Sequence, residues 1–211
     1  MIEQLINRFI TTRGAELELD EDKMAIANYG LQIIVYSVIG FVIMFIVAWL
    51  LGIIAAAFAA FITGALLRTF SGGAHCKSPF KCLSMTCTIY PLLGLLALNI
   101  YPYVAAYSFY ITGVIFVYAT YSLYKLGPVD CEEKPVTCPL HKRQLRFISF
   151  SLIAVFLILS IVFKQGYYGL VLAAQLGILW QSLTLWPTAI KLAQKYDRLW
   201  NKELKETKVE A

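Results

Sequence analysis

Three long stretches of this chain carry no charged side chain: residues 29–67, 83–124 and 147–163. A helix rising about 1.5 Å per residue crosses the hydrocarbon core of a bilayer in roughly 20 residues, so the first two stretches are each too long for one crossing. The first divides best at Trp49-Leu50-Leu51-Gly52, where an interfacial aromatic is followed closely by a turn former. The second divides at Asn99-Ile100-Tyr101-Pro102-Tyr103, interfacial residues around a helix breaker. A last pair, near 147–163 and 168–188, divides at Lys164-Gln165-Gly166-Tyr167-Tyr168. The pattern predicts an all-α integral membrane protein with six transmembrane helices joined by three short hairpin turns and two longer loops.

Composition agrees. The 211 residues are 59% hydrophobic and 15% charged, against about 25% charged in an ordinary soluble domain. With six crossings, both termini share one side with the loops near 68–82 and 124–146. Of the 18 Lys and Arg residues only Lys164 falls on the opposite side, so the positive-inside rule makes the shared side cytoplasmic. The net charge of +5 then reads as orientation and as attraction to anionic lipid, not as nucleic-acid binding, because no basic patch is interleaved with exposed aromatics.

The chain divides into an arm (1–30), a six-helix transmembrane domain (31–190) and a charged cytoplasmic tail (191–211). In the arm, Ile2, Leu5, Ile6, Phe9 and Ile10 fall on one helical face opposite Glu3, Gln4, Asn7 and Arg8, an amphipathic helix suited to the membrane interface or to packing on the bundle. The first 30 residues show no cleavable signal peptide. Cys76, Cys82, Cys87, Cys131 and Cys138 form an odd set on or near the cytoplasmic side, where thiols stay reduced, so no disulfide framework is expected.

Candidate chemistry concentrates in Arg68–Cys82, RTFSGGAHCKSPFKC, the loop between helices 2 and 3. On one continuous helix His75 and Cys82 would lie about 10 Å apart in rise, too far for proton transfer. Pro79 removes that difficulty. Proline fits the first turn of a helix and Ser78 before it is a natural N-cap, so a helix is expected to start at Pro79 with Cys82 near its positive end and His75 in the preceding loop. Gly72 and Gly73 allow that loop to fold back toward the spans. A helix N-terminus and an imidazole both favour thiolate, which assigns Cys82 as nucleophile and His75 as general base. Backbone donors near Gly72–Ala74, or the Arg68 guanidinium, are candidates for stabilising an oxyanion. No acidic residue in this loop is available to orient His75. Cys87 reads as packing, and Cys76 is a weaker candidate thiol because it lacks the helix terminus.

The second cytoplasmic loop holds Cys131, Cys138 and His141. The gap between the two cysteines is wider than structural zinc sites use, so no metal and no cofactor are expected. Lys142, Arg143 and Arg146 either anchor the fifth span at the interface or recruit an acidic peptide segment.

The set Arg68, Gly72-Gly73, His75 and Cys82, followed by two spans and then Gly127-Pro128-Val129-Asp130, Lys134-Pro135 and Lys142-Arg143, resembles the accessory gene regulator B family of bacterial membrane cysteine endopeptidases. Those proteins process the precursors of autoinducing peptides in quorum sensing. The resemblance runs from the arm into the sixth span. It implies that His75 and Cys82 are catalytic, that Arg68, Gly72 and Gly73 support them, and that Lys134, Lys142 and Arg143 belong to a basic second cytoplasmic region. It further implies a site at the cytoplasmic face of the bacterial cell membrane. The substrate would be a short amphipathic precursor with an acidic C-terminal tail, cut there and closed into a thiolactone or lactone ring. Gly127 stands where alanine is common in the family, and Cys76, Cys131 and Cys138 are extra thiols. The competing class is a multi-spanning peptide transporter or exporter without proteolytic activity, against which the scarcity of ionisable groups in the spans counts. A homodimer is left open, with no GxxxG-like stripe compelling one.

Overall fold

The computed structural model describes residues 2–16, 20–74, 79–129 and 139–195. Its elements are α1 (Ile2–Glu16), α2 (Glu21–Leu50), α3 (Ile54–Ser71), α4 (Pro79–Val104), a 3-10 turn (Ala105–Tyr107), α5 (Ser108–Leu126), α6 (Pro139–Val162) and α7 (Lys164–Thr184). A short helix α8 (Pro187–Lys195) follows, bent 84° from α7. Among the described residues there is no strand, only an isolated parallel bridge between Gly72 and Val129. Among the described residues four apolar helical segments are long enough to cross a bilayer, or five if the bent α7–α8 pair forms one span. A bilayer leaves little alternative, since a backbone in hydrocarbon must satisfy its own hydrogen bonds.

One of those segments is the 47-residue run Phe80–Leu126, interrupted by the 3-10 turn. Side-chain contacts give its course. On α4, Tyr90 meets Gly64 beside the Gly177 carbonyl, while Leu98 and Tyr101 pack at Gly169; α4 therefore runs antiparallel to α7. On α5, Thr112 accepts from Gln175 Nε2 at 2.9 Å and Ser122 accepts from Trp186 Nε1 at 3.1 Å, so α5 runs parallel to α7. The chain reverses at residues 105–107.

Packing centres on α3, whose sequence IAAAFAAFITGALL presents a stripe of small residues. Lipid is as apolar as leucine, so helices gain little by hiding apolar side chains from it, and close backbone approach through small residues supplies the attraction. A Cβ added to Gly94 of α4 would lie 2.7 Å from the Ala57 nitrogen, and one added to Gly177 of α7 would overlap the Ala60 carbonyl oxygen. Thr63 Oγ1 ties the same pair of helices by donating to the Ala174 carbonyl at 2.8 Å. The outer faces carry exposed Ile34 and Val38 on α2, Val114 and Val117 on α5, and Ile158 and Ile161 on α6, as lipid-facing surfaces should.

Two of the three expected turns fall where the sequence placed them. Gly52 takes φ +68° after α2, and Gln165–Tyr167 leave helical geometry around Gly166 at φ +91°. The middle turn falls later than expected. Pro102, read as a breaker, lies inside α4, which continues to Val104. Proline removes one amide donor and one carbonyl's partner, a loss a membrane helix tolerates near its end where neighbours or the interface satisfy the freed group. At the other end of the chain α7 stops at Thr184 rather than near 188, because Pro187 disfavours helical geometry at the residue before it.

The arm is helical. Ile6 is buried while Leu5 and Phe9 stay exposed. Asn28 of α2 donates to Asn7 Oδ1 at 2.5 Å, and the Tyr36 hydroxyl faces Glu3 Oε1 at 3.5 Å. The helix thus packs on α2 along one edge and leaves part of its apolar face uncovered.

Candidate active site

Cys82 is the fourth residue of α4, which starts at Pro79 as the proline position demands. Its thiol is free and half-buried. Five residues on, Cys87 packs against α2 with its Sγ 3.4 Å from the Gly40 carbonyl oxygen. His75 lies outside the described residues, as do Cys76, Ser78, Cys131, Lys134 and Cys138; the chain is described up to Ala74, the residue before the histidine.

The segment leading to His75 is held from three sides. Arg68, in the last turn of α3, donates through Nη2 to the Ala74 carbonyl. From α7, Gln181 Nε2 donates to the Gly72 carbonyl at 2.7 Å and to Ser71 Oγ at 3.2 Å, and the Ala74 N–H reaches the Thr184 carbonyl at 2.9 Å. On the far edge Val129 N–H donates to the Ser71 carbonyl at 2.9 Å. This course requires glycine: Gly72 has φ +68° with ψ −151°, and Gly73 has φ +139°, regions that an L side chain avoids.

These bonds bear on the oxyanion candidates. The Gly72 N–H closes α3 on the Arg68 carbonyl, and the Ala74 N–H is spent on Thr184. The parallel Gly72–Val129 bridge, with the Val129 N–H on the Ser71 carbonyl, turns the Gly73 N–H toward the Val129 carbonyl. The Arg68 guanidinium holds the Ala74 carbonyl, next to the histidine in sequence.

The basic residues divide. His141, Lys142 and Arg143 lie exposed in the first turns of α6. Arg146 instead donates through Nε and Nη2 to the Gly127 carbonyl at 3.0 and 2.8 Å, and to the Tyr124 carbonyl at 3.2 Å. It caps the end of α5 and fixes the turn that delivers Val129 to Ser71. A groove of about 660 Å³ lies between α5 and α6, lined by residues including Phe116, Tyr121, Phe150 and Ile153; it is mostly apolar and none of the candidate site residues borders it. Among the described residues no three His, Cys, Asp or Glu side chains gather closely enough to hold a metal.

Sequence reasoning missed Gln181 and Thr184. A signal existed for both: Gln181, Ser182 and Thr184 cluster in a largely apolar span, and polar groups at membrane depth are usually retained for function.

The profile of the accessory gene regulator B family matches residues 2–185. That covers the arm, every bundle helix and the Gly72–Cys82 loop. The chain belongs to this family. An accessory-gene-regulator-B-like protein of Clostridium perfringens strain SM101 is 28% identical over 97% of this chain and its own full length. The accessory gene regulator protein B of Staphylococcus aureus strain MW2 is 27% identical over 86% of this chain and 92% of its own, and a family-like protein of Listeria innocua is 22% identical over 87% and 86%. No solved structure matches the chain. Family membership and the apolar helices together make this a membrane protein of an accessory gene regulator system.

Proposed function

We propose that this chain is a membrane cysteine endopeptidase and peptide cyclase acting in quorum sensing, with Cys82 and His75 as its catalytic dyad. The reading is supported by Cys82 in the first turn of α4 and by the hold of Arg68, Gln181 and Thr184 on the Ser71–Ala74 segment. The histidine is the next residue along that segment.

The chemistry runs in two exchanges. His75 takes the Cys82 thiol proton as Sγ attacks the scissile carbonyl carbon, with the Arg68 guanidinium as the candidate to receive the developing oxyanion. The tetrahedral adduct collapses, the C–N bond breaks, and His75 returns the proton to the leaving amine, releasing the C-terminal part of the precursor. A thioester remains on Cys82. His75 then takes the proton of a cysteine thiol within the bound precursor as its sulfur attacks that carbonyl, the bond to Cys82 breaks and Cys82 leaves as thiolate, giving a thiolactone; a serine hydroxyl in the same role gives a lactone. Thioester for thioester is close to isoenergetic, so ring closure needs no nucleotide, and proximity drives it. A site held against the bundle also keeps water from the intermediate.

In this reading α2 to α7 make six crossings, supported by the opposed directions of α4 and α5 along α7. The Gly72–Cys82 and Val129–Pro139 loops and both termini face the cytoplasm, supported by the distribution of Lys and Arg. The partner is a short amphipathic precursor with an acidic C-terminal tail, drawn to Lys134, Lys142 and Arg143; anionic lipid favours the same face, and a homodimer is compatible with it. The test is purified protein in lipid with its precursor, followed by product mass. Cleavage and ring formation are expected for the wild type and lost in Cys82→Ala and His75→Ala. Unchanged cleavage in either variant, with the protein folded, overturns the dyad.

A further inference from the structure

Gln181 is fully buried inside a membrane helix, where an amide is expensive unless both its ends are engaged. Both are. Its Nε2 reaches Gly72 O and Ser71 Oγ, and its Oε1 lies 3.2 Å from the donating Thr184 Oγ1. The single Thr184 hydroxyl proton is shared between that Oε1 and the Gln181 carbonyl at 2.7 Å, which pins the threonine side chain, while the Thr184 carbonyl takes the Ala74 N–H at 2.9 Å. Between these two residues Gly73 is gripped so closely that an added Cβ would stand 2.8 Å from Thr184 Oγ1 and 3.2 Å from Gln181 Nε2.

The other buried amide of α7 provides a contrast. Gln175 joins α7 to α5 through Thr112, and its Oε1 has no hydrogen-bond partner among the described residues. Its role is within the bundle. Gln181 spends its amide on the backbone beyond the end of α3. The packing of α3 on α7 does not need that bond, because Gly177 against Ala60 and Thr63 against Ala174 already fix the pair about one and two turns deeper along α7.

We infer that Gln181 and Thr184 are positioning residues of the reaction: one turn of α7 clamps Ser71–Ala74 and thereby sets where the chain presents His75 to Cys82. This rests on the peptidase reading above. The clamp acts through backbone placement alone, and neither side chain is required to touch substrate. A shift of about an ångström in a catalytic group costs roughly a hundredfold in rate, and the clamp is separated from His75 by a single peptide unit.

The experiment compares wild type, Gln181→Met, Gln181→Glu, Thr184→Val, His75→Ala and Cys82→Ala as full chains in lipid nanodiscs. Methionine keeps the length and loses both donors; glutamate keeps the shape and turns an acceptor toward the Gly72 carbonyl. Both Gln181 variants should lose roughly 10- to 100-fold in kcat with KM for the precursor within about twofold and the thermal midpoint nearly unmoved. Thr184→Val keeps the carbonyl that holds Ala74, so its loss should be several-fold and non-additive with Gln181→Met. Alkylation of Cys82 by iodoacetamide, read by peptide mass mapping, should slow in Gln181→Met toward the rate of His75→Ala. Wild-type kcat in Gln181→Met, or a kcat loss matched by an equal loss of folded protein, overturns the clamp. The two readings fail separately. A wild type that leaves the precursor intact removes the peptidase assignment, whereas a fully active Gln181→Met beside a dead Cys82→Ala removes only the clamp.

Discussion

Replacing Gly72 by alanine tests the loop geometry at its tightest point. With φ +68° and ψ −151°, Gly72 occupies a region that is essentially glycine's own, and a side chain held there stores about 1–3 kcal/mol of strain. The new Cβ would also overlap the Val129 carbonyl oxygen and sit 3.1 Å from the carbonyl carbon. Those are backbone atoms and no rotamer change relieves them. Restoring van der Waals distance moves Val129 away by about an ångström, which breaks the 2.9 Å bond from its N–H to the Ser71 carbonyl, a net loss of about 1 kcal/mol. Together the effects amount to about 2–4 kcal/mol against the native loop, so its population should fall by a factor of about 30 or more. The assay is kcat for precursor cleavage in nanodiscs by mass spectrometry, with thermal melting alongside. Gly113→Ala is the control, because nothing lies within 4 Å of a Cβ added there. The expected result is a collapse of kcat in Gly72→Ala, near-wild-type melting in both proteins, and full activity in the control. Gly72→Ala with kcat within about threefold of wild type would refute the reasoning, since strain and overlap both act on the same four residues.

Other positions separate recruitment, loop support and bundle packing. Lys142→Gln with Arg143→Gln should raise KM more than it lowers kcat, with a deficit that shrinks as salt rises because screening already weakens the wild-type attraction; an equal fall in kcat at constant KM contradicts recruitment. Arg146→Gln should do the reverse, lowering kcat through the Gly127–Val129 support and costing about 1.5–3 kcal/mol for charged hydrogen bonds to two carbonyls; a pure KM effect would argue that Arg146 recruits rather than supports. Gly177→Ala should lower the melting temperature in detergent, at about 1–3 kcal/mol for forcing α7 off the Ala60 carbonyl, and an unchanged melt would show that α3 and α7 separate freely.

What the sequence by itself determined follows from rules that act locally. Uncharged runs must be helical in a bilayer because hydrocarbon offers no partner for a free amide, so residues 29–67 and 83–124 announced helices without any knowledge of packing. Pro79 announced the start of α4, and with it the place of Cys82, because proline's missing donor is harmless only in a first turn. Pro102 shows the limit of such rules: the same residue near a helix end is absorbed, and α4 runs on to Val104. The placement of the histidine-bearing segment was decided elsewhere. Gln181 meets Ser71 and Gly72 across 110 and 109 residues of sequence, and Thr63 meets Ala174 across 111. Arg146 read as one more cation in a basic run until its guanidinium met the Gly127 carbonyl. Hydrogen bonds of that range leave no period in the chain, since their geometry is set by how closely α3 and α7 approach over small residues. Only the assembled bundle brings a glutamine, a threonine and two glycines to one point.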